Sequence, residues 1–404
     1  MDLAFVPPLR RTLHSERVPH ALLASLAEAV EETGRSMLDP ASILALAEDM
    51  GVVRRVRVHH PGLVIDSLIL SALQRSTDTQ GRWLDAQRAY EALGGERSGK
   101  TSFRNQVLKL CPVMRRMLRR RMSVMAARVA DTELRGRLEG LRDVLIPDGC
   151  AFKLAKALSG VYAGTGQPAE FKLHAVFSLR AGGVVSVGRT AGSVHDSDGF
   201  HPSNWQSGVL YIWDLGYNSY DRFVAAAKAD AHVLQRLKSG ANPIAIASYG
   251  ESGARRELSN DGRPIGLEDA CAFGHVHHQR ILDLDVEIRD ADGKTVVARV
   301  VCMPFGGEDR YYLTTLPRAI FTPHDVAEMY RLRWEVELFF RGWKGALRLD
   351  EVMRLEHPVS LDAAVTASLL AAALTHDLTF KVNHLAAQQR AAEDQAAMQA
   401  AFPP

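Results

Sequence analysis

The spacing of apolar residues predicts helices in the first third of the chain. Between residues 20 and 145, ALLASLAEAVEE, ASILALAEDMG and LVIDSLILSALQ repeat apolar residues every three or four positions. This spacing places the apolar side chains on one face of a helix. The stretch WLDAQRAYEALGGERSGKTSFRNQVLKL adds two such segments around a Gly-Gly break. That pattern is typical of a helix-turn-helix and equally of an ordinary helical hairpin.

From residue 143 the pattern changes to short strands. DVLIPDGCAF, EFKLHAVFSL, VVSVGRTAG and VLYIWDLG are rich in β-branched residues and are separated by glycine-containing turns. A helical stretch, YDRFVAAAKADA, and a further strand, HVLQRLKS, follow them. Three strands, a short helical segment, a strand, a helix and a strand are the element order of a ribonuclease H-like core.

Residues 240–318 alternate apolar and polar positions, as half-buried strands do. HQRILDLDVEIRD and TVVARVVCM flank the turn DADGK, which predicts a β-hairpin, and DRYYLTTLP predicts one more strand. A helix is then expected to begin with Thr322 as N-cap, Pro323 at its first position and Asp325 in its first turn. The Ala-rich tail after residue 360 is expected to be helical.

These elements predict an α/β protein: a ribonuclease H-like core with a β-rich insertion, an all-helical N-terminal DNA-binding region and a helical C-terminal tail. The length of 404 residues also favours more than one domain. The expected segments are a basic helical region (1–142), the first part of the core (143–239), the insertion (240–318), a core helix (319–350), and a helical C-terminal region that is a candidate for dimerisation (351–404).

Composition is that of a globular protein, with 47% apolar and 24% charged residues. No uninterrupted apolar run reaches the roughly 18 residues of a membrane span, and prolines and basic residues occupy the N-terminus. Cys111, Cys150, Cys271 and Cys302 form no CxxC pair, which favours reduced thiols over disulfides or zinc. We therefore expect a bacterial cytoplasmic protein, associated with the nucleoid, without membrane contact.

The net charge is only +2, but basic residues cluster in the front part as RRVRVHH (54–60) and MRRMLRRRM (114–122). Such clusters indicate either a nucleic-acid surface or solvated helix faces. The candidates for contacts with DNA lie on the second helix of the hairpin and in the second basic cluster: Lys100, Ser102, Arg104, Asn105, Arg119, Arg120 and Arg121.

The stretch YRLRWEVELFFRGWKGALRLD (330–350) predicts an amphipathic helix. On a helical wheel Tyr330, Arg333, Glu337 and Lys344 fall within about 60° of arc, so they form one polar stripe. The opposite, buried face would hold Leu332, Val336, Phe339 and Trp343. Arg333 and Glu337 could be an ordinary surface ion pair, worth a few tenths of a kcal/mol.

Two aspartates upstream give the stripe another interpretation. Asp148 in LIPDGCAF and Asp214 in YIWDLGYNS each close an apolar strand next to a glycine-containing turn. With Glu337 they would supply three hard oxygen ligands, which suit Mg²⁺ and the two-ion chemistry of phosphoryl transfer. Arg333, Lys344 and the phenol of Tyr330 would then contact DNA phosphates near the scissile bond.

The arrangement Tyr-x2-Arg-x3-Glu-x6-Lys in YRLRWEVELFFRGWK resembles the signature of cut-and-paste DDE transposases of the insertion-sequence-four family. DLGYNSYDRF, QRLKSGAN and GSVHDSDGF resemble that family around its second aspartate. The resemblance covers roughly residues 143–350. It implies two Mg²⁺ ions, for which Mn²⁺ can substitute, held by Asp148, Asp214 and Glu337. It further implies cleavage of double-stranded DNA at transposon ends through a hairpin intermediate, strand transfer into target DNA, and a homodimer in the DNA complex.

In studied members of that family a tryptophan of the insertion stacks on a flipped base. The five tryptophans of this chain lie outside 240–318, so Phe273, Tyr311 or Tyr312 would have to take this role. HVHH (275–278) is read as a strand at the surface or against phosphate rather than as a zinc site. His195, beside Asp196 and Asp198, either assists the active centre or caps a helix.

Two other function classes remain open. One is a catalytically inactive, transposase-derived DNA-binding protein, acting as a repressor or an architectural protein. The other is a stand-alone metal-dependent DNA nuclease. Three convergent carboxylates favour catalysis, because a protein that only binds DNA has no need of them.

Overall fold

The computed structural model describes most of the chain, apart from its N-terminus and several short segments. The described residues are 28, 39–73, 79–127, 134, 136–199, 205–217, 219–238, 240–250, 253–289, 291–306, 308–334, 336–337, 340–341 and 353–401. Contacts divide the chain into two compact units. The first comprises Met1–Met122, Leu154–Leu158 and Gly342–Pro404, and the second comprises Ser123–Lys153 and Ser159–Arg341.

The described helices are α1 (Pro40–Asp49), α2 (Pro61–Leu73), α3 (Thr79–Ala92), α4 (Lys100–Ala127), α5 (Asp196–Gly199), α6 (Tyr220–Lys228), α7 (Leu267–Val276), α8 (Pro323–Arg331) and α9 (Pro358–Ala401). The described strands are β1 (Asp143–Lys153), β2 (Glu170–Ser178), β3 (Gly183–Ala191), β4 (Val209–Trp213), β5 (His232–Arg236), β6 (Ile244–Tyr249), β7 (Arg255–Arg256), β8 (Ile265–Gly266), β9 (Leu282–Arg289), β10 (Thr295–Phe305) and β11 (Glu308–Thr314).

The helical unit is organised around the C-terminal helix. α2 is buried on all sides, and α9 packs against it with an almost continuous buried stretch from Ser360 to Leu374. Ion pairs add to this packing: Arg121 of α4 forms a buried pair with Asp377 of α9, and the half-exposed Arg115 pairs with the buried Asp362. The N-terminal and C-terminal helical segments therefore share one core.

One apolar segment within α9, Pro358–Thr379, has the length and composition of a membrane span, with a mean hydropathy of 1.5. Its most apolar window is 83% buried inside the protein. Burial against other helices gives this composition a role in the helical core.

The second unit is built on one sheet of eleven described strands. Their order is β3-β2-β1-β4-β5-β11-β10-β9-β6-β7, with β8 paired to β6. β1, β4 and β5 run parallel, and the other neighbours are antiparallel. The order of elements from β1 to β5 is the one predicted from the sequence. The strands of residues 240–318 extend this same sheet, because β11 pairs with β5.

Local sequence signals account for several elements. The predicted hairpin is present as β9 and β10, with Gly293 at a φ of 78° in its turn. Thr322 caps α8 as predicted: its side chain accepts from the amide of Asp325, whose carboxylate accepts from the amide of Thr322 in return. All four cysteines are buried and none of them forms a disulfide bond.

Three predictions are corrected. Asp148 does not close a strand, since β1 continues to Lys153. Residues 275–276 end the helix α7 instead of lying on a strand, because Leu267, Ala270, Cys271 and Gly274 are buried at helical spacing. The helix predicted over 330–350 is interrupted: α8 ends at Arg331, Leu332 caps it, and helical residues resume at Arg333.

Candidate active site

β1 and β4, which pair in parallel, bring the two candidate aspartates to the same end of these strands. β1 pairs with β4 only from Asp143 to Leu145, so Asp148 lies beyond that pairing. β4 ends at Trp213, and Asp214 is the next residue, at the start of a 3-10 turn. Both aspartates therefore lie just beyond the segment in which β1 and β4 pair in parallel, Asp148 within β1 and Asp214 after β4, so their side chains can converge.

Arg333 connects the third carboxylate to this end of the strands. Its Nη2 lies 2.7 Å from Oε1 of Glu337, and its Nε lies 3.9 Å from Oδ1 of Asp214. The guanidinium is 12% exposed, so this cation stands largely shielded between two acidic groups. The predicted i,i+4 pair exists, but it also reaches Asp214 and is not an isolated surface pair.

Asp148 belongs to the same electrostatic site. Burial raises the pKa of Asp148 to about 6, opposed by the hydrogen bond from the Gly149 amide and by the charge of Arg333. The negative charges of Asp214 and Glu337 make smaller upward contributions to the same shift in pKa. All three candidate carboxylates thus act on one another, and Arg333 is the cation among them.

The fit to a metal ion can be tested on this donor set. As they stand, the described His, Cys, Asp and Glu side chains form no group of three at the spacing of metal ligands. Instead, Arg333 supplies a positive charge between Asp214 and Glu337, and the half-buried Asp148 interacts electrostatically with all three side chains. Carboxylate oxygens are the donors that Mg²⁺ prefers, so the chemistry of this donor set suits a divalent ion, while Arg333 supplies the positive charge between two of the carboxylates.

The remaining residues of the predicted stripe are placed differently. Tyr330 is 5% exposed and packs its ring 5.2 Å from that of Tyr312, so its hydroxyl is not on an open surface. Burial raises the pKa of Tyr330, and the charge of Asp214 adds to the effect. Leu332 and Val336 are buried as expected. Lys344, Phe339 and Trp343 lie outside the described residues.

Candidate DNA contacts on α4 divide into two groups. Lys100, Ser102, Asn105, Arg119 and Arg120 are exposed, as is Arg104, whose guanidinium donates to Ser360 Oγ at 3.0 Å. Arg121 is 8% exposed and pairs with Asp377, so its predicted role at a DNA surface is corrected to one in the helical core. The sequence analysis missed Lys109 and Arg116, which are exposed on the helical face of Asn105 and Arg120.

Aromatic side chains of the insertion are mostly covered. Tyr312 is buried, whereas Phe305 at the turn between β10 and β11 is 55% exposed. The guanidinium of Arg310 stacks on Phe305, 3.4 Å from the ring centre. This exposed aromatic was missed, since only Phe273, Tyr311 and Tyr312 were considered.

Comparisons with known proteins identify a family and several relatives. The family model described as transposase DDE domain matches residues 139–373, more than half of the chain. The transposase for insertion sequence element IS231E of Bacillus thuringiensis subsp. finitimus is 22% identical over 286 residues, covering 62% of this chain and 59% of that protein. The transposase for IS1151 of Clostridium perfringens is 20% identical over 259 residues, covering 53% and 52%.

A shorter match is more similar. The putative transposase InsL for IS186A of Escherichia coli (strain K12) is 42% identical over 66 residues, which is 16% of this chain and 18% of that protein. The chain thus spans less than two thirds of each of these relatives. Because the family model covers more than half of the chain, and the acidic residues meet within that region, this protein belongs to the transposase DDE domain family.

Proposed function

We propose that this protein is a DNA transposase of the insertion-sequence-four type, which binds the ends of its element, cleaves them and joins them to target DNA. The observation that carries the proposal is the meeting of Asp148, Asp214 and Glu337 around Arg333 at the same end of β1 and β4. The strand order β3-β2-β1-β4-β5 supports a ribonuclease H-like core beneath them. The transposase relatives support the same reaction class.

In this proposal Asp148, Asp214 and Glu337 hold two Mg²⁺ ions, for which Mn²⁺ can substitute. Such ions activate the attacking oxygen and stabilise the leaving oxygen of a phosphoryl transfer. Arg333 keeps the acidic residues together before the metal and DNA arrive, and its guanidinium then serves as a two-pronged contact for a phosphate. Tyr330 is buried beneath Arg333, so its predicted contact with phosphate is replaced by a supporting role under the guanidinium, and Lys344 completes the proposed phosphate contacts.

DNA ends are proposed to lie along the exposed basic face of α4. The exposed basic and polar residues of α4 that would contact DNA are Lys100, Ser102, Arg104, Asn105, Lys109, Arg116, Arg119 and Arg120. Contacts of Lys and Arg with phosphates position DNA without reading its sequence. A homodimer in the DNA complex, with 351–404 as a candidate contact, and a bacterial cytoplasmic, nucleoid-associated location belong to the same proposal.

The hairpin route needs an aromatic face against a flipped base, and Phe305 is the exposed candidate in the insertion. If Phe305 stacks on that base, Phe305→Ala should leave the first nick intact and reduce hairpin formation. Base stacking is worth about 1–3 kcal/mol, which corresponds to a loss of about 5- to 150-fold. A denaturing gel that separates nicked from hairpin products measures this effect. If Phe305→Ala yields as much hairpin as the wild type, Phe305 does not stack on the flipped base.

The test of the proposed function is cleavage of labelled DNA that carries the element's own ends, with and without Mg²⁺. Asp148→Ala, Asp214→Ala and Glu337→Ala should each abolish cleavage and retain end-binding in a gel-shift assay, because each removes a metal ligand. Glu328→Ala, which removes an exposed carboxylate of α8 paired with Arg331, is the control. Binding without cleavage by the wild type would support the repressor alternative, and cleavage without preference for the ends would support the nuclease.

A further inference from the structure

Two glycines beside the candidate active site face one carboxylate. Gly149 follows Asp148 directly, and Gly216 lies two residues after Asp214. A Cβ on Gly149 would lie 3.4 Å from Oδ1 of Asp196, and a Cβ on Gly216 would lie 3.5 Å from Oδ2 of the same residue. Asp196 therefore stands between the segments that carry the two candidate aspartates.

The space over Gly149 is lined by polar atoms. A Cβ on this residue would also lie 3.4 Å from Nδ1 of His174 and 3.4 Å from Oη of Tyr217. His174 is 4% exposed and Tyr217 is 2% exposed. Among the residues that the structure describes, neither of these two atoms has a hydrogen-bond partner. Buried polar groups are costly without a partner, so a group that hydrogen-bonds to both atoms is expected here.

Neighbouring residues hold the side chains that line this space, which we call the Gly149 pocket. Lys172 holds Asp196, with Nζ 3.1 Å from Oδ1, and also donates to the carbonyl of Val194 at 2.8 Å. His174 lies opposite Gly149 on the neighbouring strand, and its Nε2 is 2.8 Å from Oγ1 of Thr190. The ring and the carboxylate are thus held in place by contacts that do not involve the pocket.

We infer that the Gly149 pocket binds one buried water molecule, and that Asp196 and Tyr217 act through it as positioning residues for Asp148 and Asp214. Buried waters typically make about three hydrogen bonds to otherwise unsatisfied groups, and three polar atoms surround this point. The water accepts from the hydroxyl of Tyr217 and donates to Asp196 Oδ1 and His174 Nδ1. This pattern requires the His174 tautomer whose Nε2–H donates to Thr190.

Both catalytic segments border the pocket, that of Asp148 through Gly149 and that of Asp214 through Tyr217. The amide of Gly149 donates to Oδ1 of Asp148 at 2.8 Å, and the amide of Tyr217 donates to the carbonyl of Asp214 at 3.0 Å. A water hydrogen-bonded to Tyr217 and packed against Gly149 would therefore help to set the spacing of the segments that carry the two aspartates. The catalytic consequence rests on the proposed function, whereas the water site does not.

Tyr217→Phe tests the inference because it removes one hydroxyl and keeps the ring. Its matched control is Tyr211→Phe, another buried tyrosine of this unit, whose hydroxyl accepts from the amide of Gln206 instead. We expect Tyr217→Phe to cleave end DNA about 10- to 100-fold more slowly, the range for a displacement of about 1 Å at a reacting group. Its half-maximal Mg²⁺ concentration should rise, while Tyr211→Phe changes neither quantity.

Gly149→Ala tests the pocket from the other side. A Cβ at 3.4 Å fits without a clash but displaces the water. We therefore expect the cleavage rate to fall as much as in Tyr217→Phe, while the variant still unfolds in a cooperative thermal transition. Gly160→Ala is the control, because a Cβ there meets nothing within 4 Å among the described residues.

Crystal structures of the wild type and of Tyr217→Phe test the water site and the positioning role independently of activity. A water within hydrogen-bond distance of Asp196, His174 and Tyr217 in the wild type, with Asp148 or Asp214 displaced in the variant, supports the inference. A protein group seated in the pocket overturns the water site, and unmoved aspartates overturn the positioning role. If the wild type cleaves no DNA, the proposed function fails while these structural outcomes still apply.

Discussion

Asp148 links the stability of the protein to pH and to metal. Burial raises its pKa to about 6, whereas an Asp in an unfolded chain titrates near 4. Because the folded state has the higher pKa, ionisation of Asp148 opposes folding. This destabilisation is absent below about pH 4 and is complete above about pH 6. Without divalent ions, Asp148→Asn should therefore stabilise the protein at about pH 7.5, on the order of 2 kcal/mol, and bring no gain at about pH 4.

Thermal melts at the two pH values, with and without Mg²⁺, measure this effect. The wild type should gain stability from Mg²⁺ and the Asn variant should gain much less, because it has lost a ligand. Glu139→Gln, an exposed carboxylate, is the control and should change little. An equal gain from Asp148→Asn at both pH values would show that ionisation is not its cause.

Arg333 carries two roles that a single variant can separate. Arg333→Ala leaves Asp214 and Glu337 facing each other without a cation, so the metal-free protein should lose on the order of 1 kcal/mol, limited by solvent screening. Cleavage should fall by about 10- to 1000-fold if the guanidinium also grips a phosphate. Arg333→Lys should recover stability better than cleavage, because a point charge cannot make a planar two-pronged contact.

Arg331→Ala is the matched control, since Arg331 is an exposed cation of the same region that pairs only with Glu328 among the described partners. Cleavage rates on pre-bound DNA and melts of the free protein give the two readouts. If Arg333→Ala cleaves DNA at the wild-type rate, Arg333 contributes only to the structure and does not contact a phosphate during cleavage.

At the scale of elements, the sequence predicts what local interactions determine. The hairpin of β9 and β10 and the Thr322 cap follow from residues a few positions apart, and both are present. The glycine after Asp148 was read as a turn, but Gly149 lies inside β1 and leaves room for three side chains from distant segments. The need for glycine at position 149 comes from tertiary contacts, which the local sequence cannot reveal.

Helix α4 yields a prediction because its basic residues differ in exposure. Lys109→Ala, Arg116→Ala and Arg120→Ala should each weaken binding to DNA ends and reduce the salt dependence by about one counterion. Arg121→Ala should instead lower stability by about 3–5 kcal/mol, because it leaves Asp377 buried without its charge partner. Binding titrations across salt concentrations, beside melts, test both halves. Equal behaviour of all four variants would contradict this division.

At the scale of the whole molecule, α2 and α4 share one core with the distant helix α9, which the sequence did not predict. Amphipathic periodicity identified α2 and α4 as helices but not their partner, since an apolar face does not specify what covers it. The partner is α9, nearly 300 residues away in sequence from α2. The predicted N-terminal region 1–142 therefore lacks a helix on which its own core depends.

That dependence leads to a prediction about fragments. Residues 1–142 alone would expose the apolar surface of α2 and leave Arg121 without Asp377, so this fragment should show no cooperative melt and only weak, unselective DNA binding. Joining residues 353–404 to 1–122 through a flexible linker should restore a cooperative transition, together with binding that falls steeply with salt. In the joined fragment Asp377→Ala should abolish the gain, whereas Glu356→Ala, at an exposed position just before α9, should not. A cooperative, selective 1–142 fragment would show that α9 only covers a core that is already stable.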